Sequence, residues 1–509
     1  MAQRIITNNR YYRDIADDAW RVLLRASNKP VMFLRGLEVV ELRRDADGRI
    51  AVTMVTRDAL RDTLDRVADF VTVRKSKGGK ASWSPSSPPP TVVGHMLAHP
   101  HPQIPVLKGV AEAPVFSAGG QLLQKPGYHR SAGIFVDLPQ GFRMRPVPRN
   151  PGPRQVSNAL SELLEVFKDF PFITAVDRVN AVGFLLLPFV RDMMDGATPL
   201  HLIESPTEGT GKDYLVDVCA AVATGTRSTS LSPPRDESEW RRTLTAMFLS
   251  GCHRIHLNNI NELASSTLAG AITSQDWSDR LVGSSREVRA PIYCLWVATG
   301  NNPRLSREMA RRVVPIRLDA GRERPADRKF SVPNLVEVVL SRRWDLVRDV
   351  LILVQAWISA GRRYGSVEFG SFTAYARILG GILENAGLQG FLTNRDRTFQ
   401  APDPEREELE HFIIRWSEKH GEDAVCSCDL YDMVGNEELL PTVIAAAPSP
   451  AAGRTRLGKL LAKHRDQVIV GWQVAFVGND GHTHATKWRL MQTPDAKDAK
   501  GAIGGYPTP

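Results

Sequence analysis

The stretch SPTEGTGKD, residues 205–213, contains the residue types that can bind a polyphosphate. In a phosphate-binding loop of the form GxxxxGK followed by Ser or Thr, consecutive backbone N–H groups and a lysine ammonium face the phosphates. The residues that fit this pattern are Gly209, Thr210, Gly211 and Lys212. Asp213 replaces the hydroxyl that normally holds a magnesium ion. A carboxylate can bind the metal directly, but it repels the phosphates unless the metal is present.

Two later apolar stretches end in polar residues, as a nucleoside-triphosphate site requires of its neighbouring strands. RIHLNNI (254–260) has Asn258 and Asn259 where carboxylates for the metal and the attacking water are expected, and amides cannot act as a general base. LWVATGNN (295–302) has Asn301 near the expected position of the terminal phosphate. Ten residues further on, Arg311 and Arg312 are candidates for an arginine that acts across a subunit interface.

Each of these features also has a simpler interpretation. Asn258 and Asn259 can be a turn that ends a strand, and Arg311 and Arg312 can be solvated arginines of a helix. Glu262, Asp276 and Asp279 follow the second strand, but the sequence does not place them in the site. The order of the motifs along one region of alternating strands and helices favours a common site.

These residues lie in a region where apolar strands alternate with helices, and this alternation predicts an α/β protein with a parallel sheet. We expect a small α+β domain at 1–73, a basic, Pro/Ser-rich linker at 74–90, and a β-rich segment at 91–150. A nucleotide-binding core with a helical lid follows at 151–400. Three helices and then a hairpin at 401–491 predict a winged helix, and a disordered tail occupies 492–509.

The third helix of the predicted winged helix has a basic character. Its candidate DNA contacts are Arg454, Arg456, Lys459 and Lys463. An amphipathic helix with an ordinary charged face explains the same pattern. Its position favours DNA, because the corresponding helix of this motif enters the major groove.

The basic composition of the chain is compatible with binding to a polyanion. The 509 residues have a formal net charge of +9, which suggests nucleic acid as a partner without establishing it. Five cysteines without a CxxC pair predict reduced thiols. No apolar stretch reaches the roughly 18 to 20 residues of a membrane span, so we expect a soluble, cytoplasmic protein.

Beyond these single motifs, the runs 265–330 and 370–394 resemble the helicase segment of phage and mobile-element primase-helicase proteins. These are AAA+ ATPases (P-loop NTPases) related to minichromosome-maintenance and superfamily 3 helicases. Upstream runs (LKGVAEAPVF, PGYH, GIF) and the C-terminal winged helix are similar as well, so the resemblance covers most of the chain beyond about residue 90. The N-terminal unit matches through weaker motifs.

The resemblance implies a hexameric, ATP- and Mg²⁺-dependent motor for DNA replication in a phage, plasmid or genomic island. It implies Lys212 on the phosphates, Asn301 as a polar sensor, and an arginine from 311 or 312 at the neighbour's site. A pore hairpin is implied at 279–290, with candidate DNA contacts at Arg280, Arg286 and Arg289. The sequence departs from the family at Pro206, Asp213, Asn258 and Asn259. Two alternatives to a working motor therefore stay open, a non-catalytic DNA-binding scaffold and a nucleotide-dependent switch.

Overall fold

A computed structural model of the chain describes residues 3–25, 32–75, 81–280, 287–328, 330–395, 404–441, 449–479 and 486–492. The chain divides into two compact units, Met1–Phe399 and Gln400–Pro509, and each is described separately. The predicted mixed α/β fold with a parallel sheet is confirmed. None of the helices in the described ranges is long and apolar enough to cross a membrane.

The first unit begins with two small sheets and three helices. Its elements are β1 (Gln3–Ile6), α1 (Tyr12–Arg25), β2 (Met32–Arg35), β3 (Glu38–Arg44), β4 (Ile50–Met54), α2 (Arg57–Val67), β5 (Ala68–Lys75), β6 (Ala81–Pro85) and α3 (Pro90–Ala98). The hairpin predicted at Asp47-Gly48 is present between β3 and β4, and Gly48 adopts a positive φ of 78°. Thr56 caps α2 as expected, because its side chain accepts a hydrogen bond from the N–H of Ala59.

Residues 74–90 differ from the linker that their composition suggests. Strand β6 pairs antiparallel with β5, and α3 then packs its apolar residues into the core of the N-terminal elements. The small apolar side chains Val92, Val93 and Met96 of α3 are fully buried there. The basic, Pro/Ser-rich composition of residues 74–90 did not reveal this pairing, because most of β5 and of the core that α3 packs into lies before residue 74.

Short strands follow, as the alternation of apolar runs with glycine and proline predicts. They are β7 (Gly109–Ala111), β8 (Val115–Phe116), β9 (Leu122–Leu123), β10 (Gly127–His129) and β11 (Ile134–Val136). These strands form a sheet of order β10-β11-β7 and the separate pair β8-β9.

The centre of the first unit is a four-stranded parallel sheet of order β13-β16-β12-β17. Its elements and flanking helices are α4 (Pro153–Val166), α5 (Ala175–Val190), β12 (Leu200–Ser205), α6 (Lys212–Thr224), α7 (Glu237–Leu249), β13 (Arg254–Leu263), α8 (Ser266–Thr273), β14 (Asp276–Arg280), β15 (Glu287–Pro291), β16 (Leu295–Leu305), α9 (Arg307–Ala310), β17 (Val313–Arg317), α10 (Leu335–Ser341), α11 (Arg343–Ser359) and α12 (Thr373–Asn385).

Helices cover the parallel sheet, so its strands are apolar along most of their length. Leu202 and Ile203 of β12 and Val297 and Ala298 of β16 are almost completely buried. His201 is a buried polar residue near the start of β12. Other polar side chains collect toward the carboxyl edge of the sheet, such as Ser205, Asn258 and Asn301. In this sheet, as in other open α/β sheets, that edge is the place where a ligand site is expected.

The described residues of the second unit include three helices and a four-stranded antiparallel sheet of order β18-β21-β20-β19. Its elements are α13 (Pro404–His420), β18 (Val425–Cys426), α14 (Ser427–Asn436), α15 (Pro450–Lys463), β19 (Val468–Ile469), β20 (Trp472–Asn479) and β21 (Thr486–Gln492). Gln492, the first residue of the predicted tail, belongs to β21, and residues 493–509 lie outside the described residues.

The cysteines of the second unit differ from the prediction of reduced thiols. Cys426 and Cys428 form a disulfide, with their Cα atoms 5.2 Å apart on either side of one residue. The prediction was wrong because it considered the CxxC spacing and not the CxC spacing that this turn into α14 brings together.

Candidate functional site

The loop between β12 and α6 turns through two glycines with positive φ. Gly209 and Gly211 have φ values of 71° and 103°, in the left-handed region that favours glycine. A hydrogen bond of 2.8 Å from the Thr210 hydroxyl to the carbonyl of Thr207 braces the loop from inside. Helix α6 begins directly afterwards at Lys212, so its free N–H groups and positive dipole end face the space above the loop.

Lys212 is buried at the carboxyl edge of the sheet and is held by oxygen atoms. Its Nζ donates to Asn301 Oδ1 at 2.6 Å and to Ser205 Oγ at 2.8 Å, and it lies 3.4 Å from the carbonyl of Thr207. Ser205 and Asn301 are register partners across β12 and β16. Burial lowers the pKa of the Lys212 ammonium, although Asp213 and Glu208 oppose this effect. The structure thus brings together the predicted lysine and the predicted sensor asparagine.

Asp213 faces a cluster of polar groups from the two neighbouring strands. The Thr299 hydroxyl lies 2.7 Å from Asp213 Oδ1 and 3.1 Å from Asn258 Oδ1. The Nε2 atom of His256 lies 3.4 Å from the same Asp213 oxygen. Burial by itself would raise the pKa of Asp213, but His256, Thr299 and Lys212 together lower it below its usual value. The carboxylate is therefore ionised at neutral pH.

The two asparagines of β13 form a bulge in the strand and do not end it. Asn259 has a positive φ of 54°, and the pairing with β16 shifts between Leu257 and Ile260 before β13 continues to Leu263. This bulge leaves Asn258 against Thr299, whereas the side chain of Asn259 is exposed. Asparagine adopts the left-handed conformation more readily than most residues, which explains its presence there.

The three acidic residues after the asparagines lie outside the cluster around Asp213, and two of them form ion pairs. Asp276 pairs with Arg289 at 2.9 Å, and Asp279 pairs with Arg241 at 2.9 Å. Glu262 lies beyond the bulge, opposite Arg304 of β16.

The two candidate arginines after β16 have different environments. Arg311 is exposed, whereas Arg312 is only 8% exposed and pairs at 3.2 Å with Glu308 of the short helix α9, which ends before both arginines. Burial and the neighbouring Arg311 lower the pKa of Arg312. Of this pair, Arg311 is the residue that can reach another molecule.

The predicted hairpin segment forms the antiparallel pair β14 and β15. Its base is fixed to α7, because Thr245 donates to Asp279 at 3.0 Å and accepts from the indole of Trp277 at 2.8 Å. Arg280 and Arg289 are exposed on the two strands. Residues 281–286, which include Arg286, lie outside the described residues.

In the second unit, α15 presents its basic residues on an exposed face. Arg454, Arg456, Lys459 and Lys463 are exposed, and Leu457 and Leu461 are completely buried. The Arg454 guanidinium lies 5.8 Å from the ring centre of Tyr431. Both the DNA-contact and the charged-face interpretations remain compatible with this arrangement.

Sequence reasoning missed two members of the site, Ser205 and His256. Strand periodicity contains a signal for His256, because residues two apart on a strand face the same side and Asn258 was already a candidate. Ser205 ends β12 directly before the loop, and its hydroxyl accepts from Lys212. The parallel pairing of β12 with β16 places Ser205 opposite Asn301, so both side chains contact Lys212, and the sequence does not show this pairing.

Comparisons with known proteins give distant similarities. No protein-family model matches the chain. No curated protein matches it either. Among solved structures, the chain is similar to the NrS-1 C-terminal region, with 12% identity, a TM-score of 0.34, and coverage of 89% of this chain and 96% of that one. It is also similar to the SCCmec type IV Cch active helicase, with 12% identity, a TM-score of 0.29, and coverage of 91% of both chains. A third similar structure is the JCV helicase, with 14% identity, a TM-score of 0.21, and coverage of 48% of this chain and 73% of that one. At these TM-scores, a shared function does not follow from the similarity.

Proposed function

We propose that this chain is an ATP-dependent DNA helicase or translocase, or a replication-initiator ATPase, of the AAA+ type. The observation that carries the proposal is the convergence of Lys212, Asn301 and Ser205 beside the N-terminus of α6. A buried ammonium, the amide of Asn301 and the N–H groups of the first turn of α6 are the kinds of group that bind a polyphosphate, which supports the proposal. Strand β16 lies between β12 and β13, so the residues expected at the terminal phosphate and at the metal are adjacent.

The donors around Asp213 fit a divalent ion that accompanies the nucleotide. The Asp213 carboxylate, the Asn258 amide oxygen and the Thr299 hydroxyl are oxygen ligands of the kind that Mg²⁺ uses. When bound with ATP, Mg²⁺ neutralises charge that develops on the phosphate oxygens. Lys212 then binds the phosphates, and Asn301 orients groups at the terminal phosphate.

Three further parts of the proposal concern DNA and assembly. Exposed Arg311 would reach the nucleotide of a neighbouring subunit in a hexameric ring. Arg280 and Arg289 on the hairpin would contact DNA phosphates. The three helices and sheet of the second unit support a winged helix, with α15 as its DNA-binding helix. A phage, plasmid or genomic-island context belongs to the same proposal.

A second candidate function is a nucleotide-dependent switch or a catalytically inactive DNA-binding scaffold. The observation that favours it is the environment of β13, where Asn258 and Asn259 supply amides. The later carboxylates are paired elsewhere, Asp276 with Arg289 of the hairpin and Asp279 with Arg241 of α7. An amide cannot accept the proton of the attacking water. This candidate predicts nucleotide and DNA binding without turnover.

The test is ATP turnover by the full chain with and without single-stranded DNA, beside Lys212→Met and the surface control Lys168→Met. Because charge-assisted hydrogen bonds contribute about 1.5 to 3 kcal/mol, Lys212→Met should weaken ATP binding by roughly 10- to 150-fold. DNA-stimulated turnover that Lys212→Met abolishes supports the motor. ATP and DNA binding without turnover supports the switch or scaffold, and absence of both kinds of binding refutes both candidates.

A further inference from the structure

His256 is a buried imidazole whose outer nitrogen faces the candidate metal position. The residue is 2% exposed, and its Nε2 has no hydrogen-bond partner among the residues that the structure describes. Asp213 Oδ1 lies 3.4 Å from Nε2, and the side chain of Asp213 is 52% exposed. A buried nitrogen is thus directed at a carboxylate that solvent and ligands can reach.

The other ring nitrogen of His256 has a partner that fixes the ring. Nδ1 lies 3.2 Å from the hydroxyl of Ser228. When Nδ1 donates to Ser228, Nε2 presents its lone pair toward Asp213. Metal-bound histidines show the same arrangement, in which a hydrogen bond at one nitrogen sets the tautomer and orientation of the other.

The cluster contains more acceptors than hydrogens. Asp213 Oδ1 and Asn258 Oδ1 both contact the Thr299 hydroxyl, which has one hydrogen to donate. In the tautomer that has its hydrogen on Nδ1, His256 Nε2 adds a third acceptor beside them. A cation is the species that satisfies several converging lone pairs at once.

The spacing also suits two ligands of one ion. Nitrogen and oxygen ligands at about 2.1 Å from an ion are about 3.4 Å apart when the angle between them is tetrahedral. The separation between His256 Nε2 and Asp213 Oδ1 is 3.4 Å. Both atoms can therefore bind the same ion with only small movements.

We propose that His256 and Asp213 are direct ligands of a divalent first-row transition ion, which the chain binds before any nucleotide arrives. Imidazole nitrogen favours ions such as Mn²⁺, Co²⁺ or Zn²⁺ over Mg²⁺, which prefers oxygen and keeps its waters. This inference rests on the proposed nucleotide site, since the ion would meet the phosphates there. The proposed metal centre would then have both nitrogen and oxygen ligands, from His256 and Asp213.

The experiment measures Mn²⁺ binding to the tag-free full chain without nucleotide, by electron paramagnetic resonance and by spin-echo detection of nitrogen coupling. Bound Mn²⁺ should show coupling to an imidazole nitrogen, and Mg²⁺ should bind at least about tenfold more weakly. Because even outer partners of a metal site change affinity by about 10- to 100-fold, His256→Gln should weaken Mn²⁺ binding by at least about tenfold and remove the coupling. Asp213→Asn should weaken binding comparably, and the surface variant His129→Gln should change neither property.

A fluorescent ATP analogue, added to the same samples with Mg²⁺, separates the inference from the proposed function. Nucleotide binding together with Mn²⁺ that lacks nitrogen coupling overturns the metal inference and leaves the nucleotide site standing. Nitrogen-coupled Mn²⁺ that is lost in His256→Gln, without any nucleotide binding, supports the metal site and overturns the proposed function. If His256→Gln unfolds, Asp213→Asn at its exposed position decides, and unchanged Mn²⁺ affinity in that variant overturns the inference.

Discussion

The unusual residues at 213 and 258 predict a compensating pair of substitutions. In the usual arrangement a hydroxyl stands on the helix and a carboxylate on the strand, whereas here Asp213 is on the helix and Asn258 is on the strand. Both side chains contact the same Thr299 hydroxyl. We therefore expect the double variant Asp213→Thr with Asn258→Asp to keep a working cluster that each single variant disturbs.

The expected change in the free energy of unfolding follows from the number of carboxylates in each variant. Asn258→Asp alone places a second charge near Asp213, and two like charges about 5 Å apart repel by about 3 kcal/mol at an effective dielectric constant of 20. Asp213→Thr alone removes the group that faces His256 and leaves no carboxylate, which costs about 1 to 3 kcal/mol in lost hydrogen bonding. The double variant again has one carboxylate, so the coupling energy should be about 2 to 3 kcal/mol.

The assay is urea unfolding of the four full-length proteins in EDTA, which removes any ion that would mask the repulsion. Both single variants should have lower unfolding midpoints than the original chain, and the double variant should regain most of the difference. If the two single effects add within about 0.5 kcal/mol, the positions are independent and the exchange of roles is refuted. Glu262→Gln, beyond the bulge in β13, serves as the matched control for a charge change on the same strand.

Three other outcomes can be measured. Arg311→Ala should lower ATP turnover by about 10³-fold or more in the assembled protein without changing its melting temperature. Arg312→Ala should instead lower the free energy of unfolding by about 1 to 3 kcal/mol. The reverse pattern contradicts the assignment of Arg311 to the neighbouring subunit. Burial lowers the pKa of His201 to about 3, so the unfolded state binds the extra proton between about pH 6.5 and 3. Stability should then fall by up to about 1.4 kcal/mol per pH unit on acidification through that window, and His201→Gln should reduce this slope in urea titrations at pH 7 and 5. Lys459→Ala should reduce the slope of log affinity for double-stranded DNA against log salt by about one, and an unchanged slope argues against α15 as a DNA contact.

The sequence predicts the parts of the fold that depend on local patterns. The loop glycines, the Asp47-Gly48 hairpin and the Thr56 cap each need a particular backbone conformation, and residues that favour it reveal them. The apolar strands of the central sheet are also visible, because a parallel strand between helices must be apolar.

The parts that depend on pairing between distant segments could not be predicted in the same way. The sequence shows Asn258 and Asn259 but not the bulge, since the bulge is a mismatch with β16. It shows Arg311 and Arg312 as equals, and only the folded chain after α9 buries Arg312, which pairs with Glu308. By contrast, the hairpin of β5 and β6 and the disulfide of the second unit join residues that are close in sequence, and composition and the CxxC spacing alone did not reveal them.

The position of Asn301 connects the candidate nucleotide site to the exposed arginine through a short stretch of chain. Asn301 accepts from Lys212, so a phosphate that recruits the ammonium must alter this contact. Strand β16 continues from Asn301 to Leu305, and Ser306 then caps α9 with its side chain while its N–H donates to the carbonyl of Leu263. Arg311 follows directly after α9. Because β13 and β16 are tied together at this end, a displacement of Asn301 can reach the arginine only by moving the paired strands or the cap. The Ser306 cap is therefore where coupling between the nucleotide and a neighbouring subunit should be sought.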